Sequence, residues 1–158
     1  MAAKTDLAAL AVDTCILAEA TDAARANHHV ALDVLELHPN LVLPAQVVRE
    51  YLVAATRPVA ANGLGLALDH ARANLDAFRA NMHLLPEERP VLPAFWRLLD
   101  SAPCLGKRLH DAHLAATVLA HRVGEILTLN VSHFAGFAAH LAVITPAEAL
   151  ARLSDATD

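Results

Sequence analysis

Leu7-Ala8-Ala9-Leu10-Ala11-Val12-Asp13-Thr14 is a short apolar run closed by an acid and a hydroxyl residue. A continuous apolar stretch of this length, without alternation, is what a strand buried on both faces of a parallel sheet requires. Two further runs share the character, Leu41-Val42-Leu43 before Pro44 and Glu125-Ile126-Leu127-Thr128 before Leu129-Asn130. The segments between them carry helical periodicity. A short helix is expected over Cys15 to Ala20. Another is expected over Ala24 to Leu37, with Val30, Ala31, Val34 and Leu35 on one face, stopped by Pro39-Asn40. Pro44 starts a third helix, where its missing N–H costs nothing, and that helix ends before Arg57-Pro58. Asn62-Gly63 marks a turn. Leu64, Ala67, Leu68, Ala71, Leu75 and Phe78 then recur at spacings of three and four, predicting an amphipathic helix over 64–78.

Downstream, His83-Leu84-Leu85 reads as an edge strand and Pro90 to Leu99 as a helix with Pro93 in its first turn. Gly106-Lys107-Arg108 leads into a helix through Asp111 that runs to about Gly124. A last strand, Ala142 to Ile144, precedes a terminal helix starting at Pro146. Strands alternating with helices predict an α/β fold with a mainly parallel sheet. At 158 residues, with no repeat and no linker, the chain is expected to form a single domain over 1–158 with a sizeable core.

Composition narrows the function classes. A hydrophobic share of 56% with only 4% aromatics predicts helices packed closely through alanine. The formal net charge of −5, from 12 basic and 17 acidic residues, argues against broad non-specific adhesion to nucleic acid. It is compatible with a nucleic-acid enzyme whose acidic centre is neutralised by metal behind a local basic rim. Two cysteines, Cys15 and Cys104, make no disulfide framework and fit a reducing compartment. Asp6 and Asp13 interrupt any secretion-signal core in the first residues. The longest stretch free of Asp, Glu, Lys and Arg, Ile126 to Ala147, contains Asn130, Ser132, His133, Gly136, His140 and Pro146 and reads as soluble core with turns. A cytoplasmic, non-membrane protein is expected.

Four polar residues stand where modules of the pattern meet: Asp13, Glu50, Asp111 and Asn130. Acids at the carboxyl ends of parallel strands, distant in sequence, can converge at one sheet edge and hold a hard divalent cation. Asp111 heads a helical face continued by Leu114, Ala115 and Val118, and a carboxylate there must be paired or bind metal. Each position also has an ordinary explanation. Asp13 before Thr14 can cap a helix, and Asp111 can favour a helix N-terminus. Glu50 borders an apolar arc where solvated glutamates are common, and Asn130 fits a turn. His110, His113, Thr117 and His121 share another face of the Asp111 helix, expected to meet solvent or an interface. Zinc ligation by His110 and His113 lacks a Cys or Glu at ligand spacing. The pair His110-Asp111 resembles the signature of metal phosphohydrolases, whose further His and Asp have no clear counterparts here. There is no phosphate-cradling glycine loop, since Gly63-Leu64-Gly65 is too short and reads as part of a helix start. No serine nucleophile elbow is present. Cys15 reads as a small buried residue.

Taken in order, four stretches resemble the PIN domain, and within it the VapC-like toxins of type II toxin–antitoxin systems. They are Val12-Asp13-Thr14, Gln46-Val47-Val48-Arg49-Glu50-Tyr51-Leu52, Arg108-Leu109-His110-Asp111-Ala112-His113-Leu114-Ala115-Ala116-Thr117, and Ile126-Leu127-Thr128-Leu129-Asn130-Val131-Ser132-His133-Phe134. The resemblance implies a three-layer α/β/α sandwich around a short parallel sheet, and a magnesium- or manganese-dependent endoribonuclease. It implies Asp13, Glu50 and Asp111 as metal-holding acids, with Thr14 and Thr128 as supporting hydroxyls. Asn130 falls where many members carry a fourth acid, which puts the second metal position in question. Arg49, Arg57, Lys107 and Arg108 become candidates for RNA phosphate contacts. The implied partners are RNA, a cognate antitoxin bound in an apolar groove near the 24–37, 45–55 and 64–78 helices, and a second copy in a homodimer within larger assemblies. Two other readings stand beside this one: a PIN-fold binding or scaffold module with weakened catalysis, and a zinc-dependent phosphohydrolase using His110, His113 and Asp111.

Overall fold

A computed structural model describes residues 7–88 and 90–156. The chain runs β1 (Leu10–Val12), α1 (Thr14–Thr21), α2 (His28–Leu37), β2 (Leu41–Pro44) and α3 (Ala45–Thr56). A 3-10 turn (Val59–Ala61), α4 (Leu68–Arg79), β3 (Met82–Leu85), α5 (Val91–Ser101) and α6 (Arg108–Ala120) follow. β4 (Glu125–Leu127), α7 (Val131–Phe134), a second 3-10 turn (Ala135–Phe137), β5 (Ala142–Ile144) and α8 (Pro146–Asp155) complete it. The expectation about a secretion signal at Met1–Asp6 lies outside the described residues.

All four strand pairings are parallel, in the order β3-β2-β1-β4-β5. The chain first steps outward from β1 through β2 to β3, then returns to the other side of β1 for β4 and β5. A right-handed crossover puts the helices of these opposite steps on opposite faces. Accordingly α1 packs on α2 and α3, α3 on α4, and α2 on α8, while α5 packs on α6 and α6 on α7. The result is a three-layer α/β/α sandwich. Its strand order reverses between β1 and β4, and the crevice beyond the carboxyl ends of those two strands is where open parallel sheets bind ligands.

The central strands are apolar because both faces are covered: Leu10, Ala11, Val12, Leu41, Leu43, Ile126 and Leu127 are all buried. Small residues let the layers approach, with Ala31, Ala55, Ala71, Ala112, Ala115 and Ala116 fully buried. α6 is buried nearly all round, as a helix sandwiched between a sheet and α5 must be.

Several boundaries differ from the sequence expectation, each for a local reason. β1 begins at Leu10 rather than Leu7. α2 begins at His28 rather than Ala24, because the preceding polar residues are satisfied in a loop: Arg25 pairs with Glu19 and Asp22, and Asn27 N donates to Glu19 Oε2. α4 begins at Leu68 rather than Leu64. Gly65 adopts φ +66°, and the N–H groups of Leu64, Gly65 and Leu66 donate to Ala54, Arg57 and Ala55 at the end of α3. Gly63-Leu64-Gly65 is therefore an extended strap rather than a helix start, and Leu64 and Leu66 pack on the core from it. α6 ends at Ala120 rather than Gly124, since Arg122 turns to φ 60° and Val123 N reaches back to Val118 O.

Gly63 is the tightest point of this strap: a Cβ there would fall on the Arg57 carbonyl. Gly63→Ala is expected to destabilise the fold by about 1–3 kcal/mol in urea unfolding, whereas Gly124→Ala, which meets nothing within 4 Å, should leave the midpoint unchanged.

Candidate metal centre at the strand-order reversal

Asp13 follows β1 directly, and its N–H continues the ladder by donating to Leu127 O at 3.0 Å. Its extended backbone places the carboxylate at the N-terminus of α1, where Oδ1 accepts from Thr14 N at 2.7 Å. The capping explanation is thus correct, but it uses only one oxygen. The other, Oδ2, accepts from Thr128 Oγ1 at 2.6 Å and from Cys15 Sγ at 3.3 Å. Thr128 lies just beyond β4, fully buried, with its N–H held by Ile144 O. The reversal of strand order therefore brings two residues 115 positions apart into one short hydrogen bond.

Glu50 reaches the same crevice from α3. Thr14 Oγ1 donates to its Oε2 at 2.9 Å, and Gln46 Nε2, one helical turn earlier, donates to its Oε1 at 2.6 Å. Asp111 arrives from the first turn of α6, its side chain 24% exposed, with His133 Nδ1 3.5 Å from its Oδ2. The charges of Asp13 and Glu50 both act on it. Asp13, Glu50 and Asp111, drawn from three helices on both faces of the sheet, thus share one electrostatic neighbourhood.

That neighbourhood strains its carboxylates. Burial pushes the Asp13 pKa above its ordinary value, with the Glu50 charge adding to the rise and the bonds from Thr128, Cys15 and Thr14 opposing it. Asp111 is also raised, first by burial and then by Asp13 and Glu50, against the opposing influence of His133 and Arg108. Cys15 is pushed up to about 12 by burial and by Asp13, so its thiol stays neutral and is no nucleophile. Carboxylate oxygens held together against their mutual repulsion suit a hard divalent cation in chemistry and in sign. Among the described residues, however, no three His, Cys, Asp or Glu side chains form a ready-made cage.

The remaining expected residues are placed unevenly. Asn130 is exposed at the start of α7. Its N–H donates to Thr128 Oγ1 at 3.0 Å, but its side chain makes no capping bond. Arg49 and Arg57 line a cleft of about 760 Å³ beside Glu50 and Thr14, and Arg49 is paired there with Glu87 at 2.9 Å. Arg108 lies toward α7, its Nη2 3.4 Å from His133 O, and Lys107 is exposed before α6.

The histidine face of α6 is only partly a solvent face, with His110 exposed. Thr117 is fully buried, His113 packs edge-on against Phe95 of α5, and His121 bonds Pro86 O. His113 Nδ1 is engaged by Gln46 Oε1 at 2.8 Å, which leaves the zinc reading without a ligand set among the described residues. Sequence reasoning missed Gln46, His133 and the contact of Cys15 with Asp13. Gln46 alone carried a usable signal, an amide four residues before a candidate acid on one helix.

Residues 10–136 match the family model described as PIN domain. No curated protein sequence matches the chain. Among solved structures, a chain of FitAcB from Neisseria gonorrhoeae is similar with a TM-score of 0.64 at 22% identity, over 87% of this chain and 97% of that one. A chain of VapBC2 from Rickettsia felis, bound to a promoter DNA fragment, gives 0.64 at 14% identity over 86% and 97%. A toxin–antitoxin complex from Klebsiella pneumoniae gives 0.62 at 22% identity over 87% and 98%. At these identities the likeness is one of fold.

The raised carboxylates have a consequence for stability. With a native pKa above the unfolded value, Asp13 and Asp111 bind protons more tightly when folded. Each therefore costs stability as pH rises from about its ordinary 3.8 through its native value. Asp111→Asn removes one of the clustered charges and should raise Tm at pH 7, by roughly 2–4 °C per kcal/mol of repulsion relieved. The gain should shrink as pH falls through the raised native value and be gone below about 3.8. A lowered Tm at pH 7 would show that the His133 contact outweighs the repulsion.

Proposed function

This chain belongs to the PIN domain family, and we propose that it is a magnesium- or manganese-dependent endoribonuclease, the toxin of a type II toxin–antitoxin pair. The observation that carries this reading is the convergence of Asp13, Glu50 and Asp111 at the strand-order reversal, with two of the three carboxylates raised by burial and by one another. Asp13 and Asp111 would hold the cation, directly or through its waters, with Glu50 completing the acidic set. When bound, such an ion would neutralise charge developing at the scissile phosphate and would make an attacking water more acidic than bulk water.

The chain's own residues supply the rest. Thr128 and Thr14 N–H fix the Asp13 carboxylate, and Thr14 Oγ1 and Gln46 fix Glu50. Arg49 and Arg57 in the adjoining cleft, with Lys107 and Arg108 at the head of α6, offer cations to the RNA backbone. Asn130 presents a neutral oxygen where a fourth acid would add charge. A chain of the toxin–antitoxin complex from Klebsiella pneumoniae shares this fold, which supports an antitoxin partner; a homodimer within larger assemblies belongs to the same proposal. Exposed Leu37, Val53 and Leu68 give α2, α3 and α4 apolar surface for an antitoxin helix. No helix among the described residues is long and apolar enough to cross a membrane, in keeping with a cytoplasmic toxin.

A specific observation favours a second reading, a PIN-fold module with weakened catalysis. Among the described residues the acids close no cage, and Asn130 is exposed without a bond to them. Magnesium-dependent cleavage of RNA separates the two. Asp13→Ala and Asp111→Asn should each lower cleavage by more than about 100-fold, beyond the 10–100-fold typical of changes outside the ligand shell, and abolish growth arrest on expression. Chelator should abolish wild-type activity. Undiminished cleavage by either variant would remove that residue from the site, and a wild type without metal-dependent cleavage would favour the binding module.

A further inference from the structure

Gln46 is 3% exposed, and both its amide protons and its carbonyl oxygen are engaged. Nε2 donates to Glu50 Oε1 at 2.6 Å and to the His110 carbonyl at 3.0 Å, while Oε1 lies 2.8 Å from His113 Nδ1. The orientation is forced by its neighbours. A carboxylate and a backbone carbonyl carry no hydrogen to give, so the NH2 group must face them. Oε1 then faces His113, whose Nδ1 must carry the hydrogen. The ring is held in that position by Phe95, edge-on at a centroid distance of 5.4 Å.

We infer that Gln46, oriented by the Nδ1–H of His113, is a positioning residue that sets the place of Glu50 relative to Asp111. One amide ties the Glu50 carboxylate on α3 to the peptide that immediately precedes Asp111 on α6. Thr14 Oγ1 holds the second Glu50 oxygen at 2.9 Å, so the carboxylate is fixed at both ends. The bond to the His110 carbonyl spans the sheet, joining helices from opposite layers. Without the His113 donor the amide oxygen loses its partner, the side chain is held through its NH2 group alone, and Gln46 and the Glu50 carboxylate bound to it are free to shift. This inference rests on the ribonuclease reading for its effect on rate, but not for the clamp itself.

Two measurements test it. In metal-free wild-type protein, long-range 1H–15N spectra should show His113 as the Nδ1–H tautomer. The Gln46 side-chain NH2 should give two well-separated proton resonances, which coalesce toward free-amide positions in His113→Ala. An Nε2–H tautomer would overturn the clamp. In RNA cleavage, Gln46→Ala and His113→Ala should lower kcat on the order of 10–100-fold with KM unchanged. His113→Asn, whose Nδ2 can stand in for the imidazole Nδ1, should recover most of the loss. Equal losses in His113→Ala and His113→Asn, or kcat at the wild-type level in both alanine variants, would overturn the positioning role. A wild type that cleaves no RNA overturns the ribonuclease reading instead, and the tautomer then decides the clamp by itself.

Discussion

The hydrogen bond from Thr128 Oγ1 to Asp13 Oδ2, 2.6 Å long, joins the ends of β1 and β4 at the point where the strand order reverses. Everything proposed for this chain depends on that junction. β1 and β4 must lie side by side for the two residues to meet, and they do so only because the chain leaves β3 and crosses back beneath the sheet through α5 and α6. The same crossing delivers Asp111. A buried carboxylate needs donors, and Asp13 has three: a backbone N–H, a hydroxyl and a thiol. These hold the side chain where two other acids repel it.

The site illustrates how a functional arrangement sits against stability. A core of this kind is stabilised by burial of Leu, Val, Ile and Ala across three layers. Into its edge the chain places acids whose charged forms are disfavoured by burial and by each other. A protein selected only for stability would neutralise one of them. Keeping them leaves a local field that a divalent cation can satisfy, which is the physical link between the fold and the proposed metal-dependent reaction. Asn130, exposed at the start of α7, brings no charge to that field.

Much of the fold was legible because the strands are short, apolar and separated by helical patterns. The expected strands at Leu41, His83, Glu125 and Ala142 all appear within a residue or so. The errors fall where tertiary hydrogen bonds override periodicity. Leu64 to Ala67 has the spacing of a helix, yet three of its N–H groups, or those beside them, find acceptors on the end of α3. The histidine face of α6 is polar but only partly exposed: His110 is open, whereas His113 packs against Phe95 of α5 and Thr117 is buried, satisfied by His113 O within its own helix. Asp111 was readable as a candidate because it heads an apolar helical face, whereas Asp13 and Glu50 had ordinary explanations and were joined to it by the order and spacing of the stretches that resemble the PIN domain. Cys15 and His133 were not readable, because their significance lies in contacts across elements that no local pattern encodes, and Gln46 offered only its place one helical turn before Glu50.

The central claim is that Asp13 and Asp111, with Glu50 beside them, form a divalent-cation site. The most direct measurement is an anomalous difference map from a crystal of the wild-type protein equilibrated with manganese. The account predicts a peak in the crevice beyond β1 and β4, within ligand or water-bridged distance of the Asp13 and Asp111 carboxylates. Full manganese occupancy elsewhere, at His110 and His113 for instance, with no density beside Asp13, would contradict it.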